Sequence, residues 1–165
     1  LVSFLESAQR YSEAESWRRK WLVVAKEQYG EGSIEYASEL AALGQNLVQQ
    51  RRFAEAEAVV REALAIHEEL QPLDWSTFDA RSILGEALLG ERRFEESEPL
   101  LREGYLGMKN NSATIPSGSR RLRMVAAIRR LIELYQAVQR LDKLDEFQKE
   151  LDELNSHDAT PNASK

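Results

Sequence analysis

The chain has 165 residues, 42% of them hydrophobic and 30% charged, enough for one domain with a real core, and it contains no cysteine. That excludes disulfides, thiol catalysis and cysteine-based metal sites. The net charge of −6 is concentrated in residues 142–158, where seven acids face two lysines, so the overall field disfavours an anionic partner such as nucleic acid.

Apolar periodicity predicts helices near 1–9, 12–29, 33–50, 54–70, 75–90, 94–110, 119–139 and 143–155. The first residue is Leu1 rather than Met, and the first helix is short by a turn or more relative to the later ones. Both features imply a fragment of a longer protein whose apolar edge offers a place for a second copy to pair. Trp17 and Trp21, four apart on the second helix, are expected in the core or between repeats. The longest apolar run, WLVVA (21–25), is far too short to span a membrane, and no signal peptide is evident. A cytoplasmic location follows as an expectation, within a parent protein whose anchor, if it has one, lies elsewhere.

The third and fourth helices introduce the organising pattern. The phrase RRFAEAEAVVREAL (51–64) returns as RRFEESEPLLREGY (92–105), with echoes in RYSEAES (10–16) and RLDKLDE (140–146). Tyr11, Phe53, Phe94 and Leu141 are thus separated by 42, 41 and 47 residues, a near-constant period that marks a repeat array. Each phrase follows a helix, and two of those helices carry an aligned Leu–Gly pair, Leu43–Gly44 and Leu84–Gly85. A glycine inside a helix costs about 1 kcal/mol against alanine, so close approach of a neighbouring helix is its expected reason. Ala56 and Ala63 offer the same close approach on the second helix. YGEGS (29–33) and QPLD (71–74) are the breaks between repeats, with Asp74 a candidate N-cap ahead of Trp75. Trp75 is expected to wedge the second repeat against the third.

Further along, Arg120, Arg121, Arg123, Arg129 and Arg130 fall within eleven residues, with no acid between Lys109 and Arg130. The plain reading is a solvated helix face. The sharper one is a dock for an acidic peptide or phosphate, or less favourably nucleic acid, although no aromatic interleaves with these arginines. In the last helix Leu141, Leu144, Phe147, Leu151 and Leu154 form one apolar stripe backed by charge, as a terminal cap requires. Residues 157–165, HDATPNASK, are expected to be a disordered tail.

No catalytic constellation, cofactor motif or metal-ligand cluster emerges. His67 in AIHEEL lacks the second histidine of a zinc helix, since Gln71 stands at that position, and His157 lies in the tail. His67 is read as a surface or inter-helix residue. The glutamates of the repeats are read as exposed ion-pair partners for Arg51, Arg52, Arg61, Arg92, Arg93 and Arg102, and no enzyme activity is expected.

Leu43–Gly44, Leu47, Phe53, Ala56 and Ala63 together resemble a tetratricopeptide repeat, and the longer period and the Phe-x-Glu-Ala-Glu phrase resemble its kinesin-light-chain type. The string DWSTFDARSILGEALLGERRFEESEPLLREGYLGMK (74–109) is similar to C-terminal repeat regions of bacterial eukaryote-like Ser/Thr protein kinases. The resemblance implies an all-α, right-handed α–α superhelix of about four antiparallel helix pairs, with repeats at roughly 1–32, 33–73, 74–118 and 119–156. Repeat four departs from the pattern, with Ile132 where the aligned glycines stand. The resemblance also implies a non-catalytic protein-interaction module in a bacterial signalling protein, with a partner in the concave groove lined by the first helix of each repeat. The groove positions it picks out are Ser38, Gln45 and Gln49; Asp79, Ser82 and Glu86; and Arg129, Glu133 and Gln136. Gln45, Asp79 and Glu86 do not make a carboxylate clamp, so a peptide carrying a basic residue fits at least as well. Self-association is the alternative.

Overall fold

A computed structural model describes residues 1–156, and all of its regular structure is helical. The helices are α1 (Val2–Ser7), α2 (Tyr11–Tyr29), α3 (Ile34–Gln49), α4 (Phe53–Leu70), α5 (Trp75–Gly90), α6 (Phe94–Asn110), α7 (Ser117–Ala137) and α8 (Leu141–Ser156), with one 3₁₀ turn at Ser112–Thr114. They pack in consecutive pairs, each pair against the next, as an α–α superhelical repeat fold. The expected tail, His157 included, lies outside the described residues.

The repeated phrase has a structural meaning that its letters alone do not give. Tyr11, Phe53, Phe94 and Leu141 are each the first residue of the second helix of a pair. Two positions before each of them stands a non-glycine residue in the left-handed region: Gln9 (φ 58°), Arg51 (φ 61°), Arg92 (φ 64°) and Gln139 (φ 56°). The next residue is an arginine in every case, and its N–H closes the same long bond back into the preceding helix. Arg10 donates to the carbonyl of Leu5, Arg52 to Leu47, Arg93 to Leu88 and Arg140 to Tyr135, at 2.8–3.0 Å. A second bond that spans fewer residues accompanies each, such as Arg51 N–H to the Val48 carbonyl at 2.8 Å. This is a Schellman turn, whose left-handed position usually belongs to glycine. Replacing Arg92 with glycine should therefore raise stability by about 0.5–1 kcal/mol. A shift of the urea midpoint upward with unchanged m-value is the expected reading.

The same arginines lash neighbouring repeats together. Arg52 pairs with Glu15 of the preceding repeat at 2.7 Å, Arg93 with Glu57 at 2.7 Å, and Arg140 with Glu98 at 3.2 Å. Arg10, Arg52 and Arg93 also bind the glutamate three residues on, at 2.6–2.8 Å. Two of the three helix starts between repeats, those of α3 and α5, are capped by side chains, while α7, entered from Pro116, has no side-chain cap. Ser33 Oγ accepts the Tyr36 N–H at 3.1 Å, and Asp74 Oδ1 accepts the Ser76 N–H at 2.9 Å.

The buried apolar residues form three clusters in succession along the interior. Leu43, Leu47, Ala56, Val60, Ala87 and Leu88 are fully buried between the second and third pairs; Leu101, Met108, Leu131 and Leu134 continue the series into the fourth. Each of these Leu, Val and Met side chains is worth about 1.5–3 kcal/mol in burial, and each alanine less. The aligned glycines serve the close packing expected of them: a β-carbon on Gly44 would overlap Val60, and one on Gly85 would lie 2.7 Å from Leu101 Cγ. The array closes with α8, where Phe147 stacks on Tyr135 and meets Tyr105 edge-on, both at 5.7 Å. Of the predicted α8 stripe, Phe147 and Leu151 are buried and Leu144 and Leu154 half-buried, but Leu141 is 66% exposed because it opens the helix at the turn.

The two tryptophans of α2 depart from expectation. Trp17 is 40% and Trp21 53% exposed, on one face of α2 with the exposed Val24; Leu1 and Phe4 at the start of the chain are exposed as well. The reason is length. α1 has six residues against nineteen in α2; α2 packs mainly on α3 and, through Leu22 and Ala25, on clusters that include Val60 and Ala63 of α4, which leaves its Trp17, Trp21 and Val24 side uncovered.

Candidate functional site

The face lined by α3, α5 and α7 carries a polar seam centred on Arg130. This arginine is 6% exposed, so its charge must be answered inside the protein. Its Nε donates to Glu86 at 2.5 Å and its Nη1 to Ser82 Oγ at 3.0 Å, while Nη2 donates to Gln45 Oε1. Gln45 Nε2 in turn reaches Glu86 at 3.4 Å. One guanidinium thus ties the first helices of the second, third and fourth pairs. Beside it, Arg123 Nη1 donates to Asp79 Oδ2 at 2.6 Å, and its guanidinium lies 5.2 Å over the Trp75 ring. Asp79 Oδ1 stays 3.7 Å from Arg130, beyond hydrogen-bond reach.

This seam changes the reading of the basic cluster on α7. Arg130 and Arg123 do not form a free solvated face, because α7 packs on α5 and both are taken up by Asp79, Ser82 and Glu86. Arg120 and Arg129 are exposed, and Arg121 reaches Asn155 of α8 at 3.1 Å.

Above the seam, between α3 and α5, opens a cavity of about 450 Å³. Ser38, Gln45, Gln49 and Asp79 line it, and Arg123 and Leu122 of α7 close one side. At the opposite end Glu6 of α1 is held by Arg18 in a two-pronged pair at 2.7 and 2.8 Å, and the buried Asn46 donates to the same carboxylate at 3.4 Å. A second depression, about 720 Å³, follows the groove to the inter-helix turns and is lined by Gln49, Glu86, Glu133 and Phe94 among others.

Eight of the nine positions chosen for the groove fall into three groups, with Gln49 in two of them, and the ninth, Ser82, lies below the surface. Ser38, Gln45, Gln49 and Asp79 border the first cavity, while Gln49, Glu86 and Glu133 border the second. Arg129 and Gln136 are exposed outside both. Ser82 is fully buried and Asp79 is 5% exposed, so these two lie beneath the arginines rather than on the open surface. Trp75 is half-buried, packs against the core of the third and fourth repeats and lines the cavity, so it does more than wedge two repeats.

His67 of α4 reaches the same cavity. It is 1% exposed, an inter-helix residue whose Nδ1 lies 3.4 Å from Ser76 Oγ. Ser76 donates its own proton to Asp74 at 2.7 Å, which leaves it to accept from Nδ1–H and makes Nε2 the bare acceptor. Burial holds the imidazole below its ordinary pKa, against the pull of Asp74 and Asp79, and so favours the neutral ring. Among the described residues no group of three His, Cys, Asp or Glu could hold a metal, and no helix is long and apolar enough to cross a membrane.

Stacked helix pairs with a polar groove along their first helices define an α–α helical-repeat protein. No protein-family model matches the chain, and no curated protein matches it. Among solved structures, the crystal structure of BtubC (BKLC) from P. vanneervenii shares its architecture, with a TM-score of 0.74 and 16% identity. The likeness covers all of this chain and 65% of that one, and at this identity it establishes the fold alone.

Proposed function

We propose that the chain is a non-catalytic protein-interaction module that takes a peptide or an extended segment of a partner protein in the groove along α3, α5 and α7. The observation that carries this is the cavity of about 450 Å³ bordered by Ser38, Gln45, Gln49 and Asp79 on a continuous helical-repeat face. Such faces present rigid, pre-arranged side chains, so little ordering is needed on binding. The tetratricopeptide reading of the kinesin-light-chain type rests on the four equivalent turns, and the four-repeat division at 33, 74 and 119 follows from it. Membership of a bacterial signalling protein rests on the resemblance in 74–109.

Since the chain has no cysteine, single cysteines give clean attachment points for a photo-crosslinker. Peptides selected from a random display library should crosslink from Ser38→Cys and Gln49→Cys. They should not crosslink from Ala58→Cys, an exposed position on α4. Crosslinking confined to Ala58→Cys would discard the groove.

The exposed apolar face of Trp17, Trp21 and Val24 on α2, with Leu1 and Phe4 also exposed, favours a second reading, pairing of two copies through this end. Light scattering across a concentration series should show a dimer that Trp17→Glu/Trp21→Glu splits. A monomer at every concentration removes this reading.

A further inference from the structure

The second depression, of about 720 Å³, carries its charge in two rows. One row is Arg51 and Arg92 at the inter-helix turns; the other is Glu86 on α5 and Glu133 on α7. Leu89, Gly90 and Ala137 lie between the rows, and the Phe53 ring reaches back over Gly90, where a β-carbon would overlap it. Phe94 holds the place of Phe53 in the next repeat, and Phe53, Leu89 and Phe94 are all half-buried.

The two arginines are not used by the fold. Their neighbours Arg52 and Arg93 are held by glutamates, but the exposed guanidiniums of Arg51 and Arg92 have no hydrogen bond or ion pair among the described residues. The turn does not need the charge either, since Gln9 and Gln139 take the same left-handed position in the outer repeats. Glycine would hold that backbone at lower cost. An unpaired cation placed there twice, on the edge of one depression, is a strained position kept for something outside the fold. In the acid row Glu86 is answered by Arg130, whereas the exposed Glu133 has no hydrogen-bond or ion-pair partner among the described residues.

We propose that this depression seats an amphipathic α-helix of the partner, laid across α3, α5 and α7, with acids seven residues apart on one flank and a lysine or arginine on the other. The assignment rests on the groove being the partner-binding face. Spacing selects a helix. α3 packs on α5, and α5 on α7; packed helices lie about 8–10 Å apart, so Arg51 and Arg92 recur at that interval. Seven residues of a helix rise about 10.5 Å, which brings the same flank to both arginines. A strand covers this distance in about three residues, and that odd number turns the second side chain to the opposite face. Width agrees. Arg92 stands six residues past Glu86, and Gln139 six past Glu133, so the rows lie about 9 Å apart along the helix axes. A helix with its side chains is about 10–12 Å across, so its apolar stripe rests on Phe53, Leu89 and Phe94 while its flanks meet the two rows. Charge then assigns the flanks, acids toward Arg51 and Arg92 and a base toward Glu133. Turning the helix end for end exchanges its flanks, so unlike charges also set its direction.

The test titrates fluorescein-labelled peptides of about 18 residues, five helical turns, against the full chain by fluorescence anisotropy. The first peptide has a leucine stripe, two glutamates seven apart on one flank and a lysine on the other. In the second, lysines replace those glutamates; in the third, a central proline breaks the helix. The chain should bind the first peptide at least about tenfold more tightly than the second, the effect of exchanging attraction for repulsion at two exposed pairs. It should bind the third at least about tenfold more weakly than the first. Arg51→Gln/Arg92→Gln, which copies the residues at positions 9 and 139, should leave the thermal melt in place and cut the preference to less than about twofold. Arg51→Glu/Arg92→Glu should invert it; if that variant does not fold, the glutamine variant carries the test. Equal affinity for the first two peptides, a preference that survives Arg51→Gln/Arg92→Gln, undiminished binding of the broken helix, or no binding at the solubility limit would each overturn the assignment. Peptides selected by display separate this failure from that of the groove itself. If those that crosslink from Ser38→Cys or Gln49→Cys bind Arg51→Gln/Arg92→Gln as well as the parent, the groove stands and the helix dock falls. If none maps to the groove, the wider reading falls.

Discussion

Replacing Arg130 with alanine should destabilise the protein by about 3–5 kcal/mol, a large part of the total stability of a domain this size. The loss arises less from forgone attraction than from what stays behind. Glu86 keeps only its long contact with Gln45, and Ser82, fully buried, loses the partner of its hydroxyl. Arg130→Lys should recover little, because an ammonium cannot reach Glu86, Ser82 and Gln45 from one planar group. Arg130→Met combined with Glu86→Gln removes charge and countercharge together and should regain more than half of the loss. Urea unfolding of the four proteins measures this directly. If Arg130→Ala lies within about 1 kcal/mol of the parent, the guanidinium is not the tie between repeats that its geometry implies.

The repeat made most of this architecture legible. The periods of 42, 41 and 47 residues located every second helix to within two residues of its observed start, and the aligned glycines disclosed where helices touch. The repeat also carries a signal for Arg130. Counting back eleven from Phe53, Phe94 and Leu141 gives Ala42, Ile83 and Arg130. The phase that is apolar in the second and third repeats carries an arginine in the fourth, which points to a buried Arg130 in need of an acid nearby. Composition alone made it one of five surface arginines. Other features had no such signal. That Asp79 would lie under Arg123, or that Trp75, His67 and Arg18 would share one cavity, depends on how far each pair rotates on the last. No local pattern encodes that angle. Trp17 and Trp21 were misplaced for a related reason: helical phase shows which residues share a face, not whether a second helix is there to cover it.

Gly104→Ala should cost about 2 kcal/mol, although alanine is the better helix former by about 1 kcal/mol. A β-carbon here would lie 2.7 Å from the Phe78 carbonyl oxygen, 2.8 Å from Ser82 Cβ and 2.9 Å from the Ser82 amide nitrogen. These are mostly main-chain atoms of α5, which cannot swing aside as the end of a flexible side chain can. α6 must instead back away from α5, and the displaced residue is Ser82, whose hydroxyl takes the Arg130 bond. Loss of stability should therefore come with loosening of the groove, seen as faster amide exchange at Gln45 and Glu86 on the far side of that network. Gly118, near the start of α7 with nothing within 4 Å of its would-be β-carbon, is the control. Gly118→Ala should be neutral or gain up to about 1 kcal/mol, with no change in exchange at the groove. Equal effects at the two glycines would mean that the α5–α6 contact tolerates a methyl group. The close approach of these helices would then not be what sets the position of Ser82 and, through it, of Arg130.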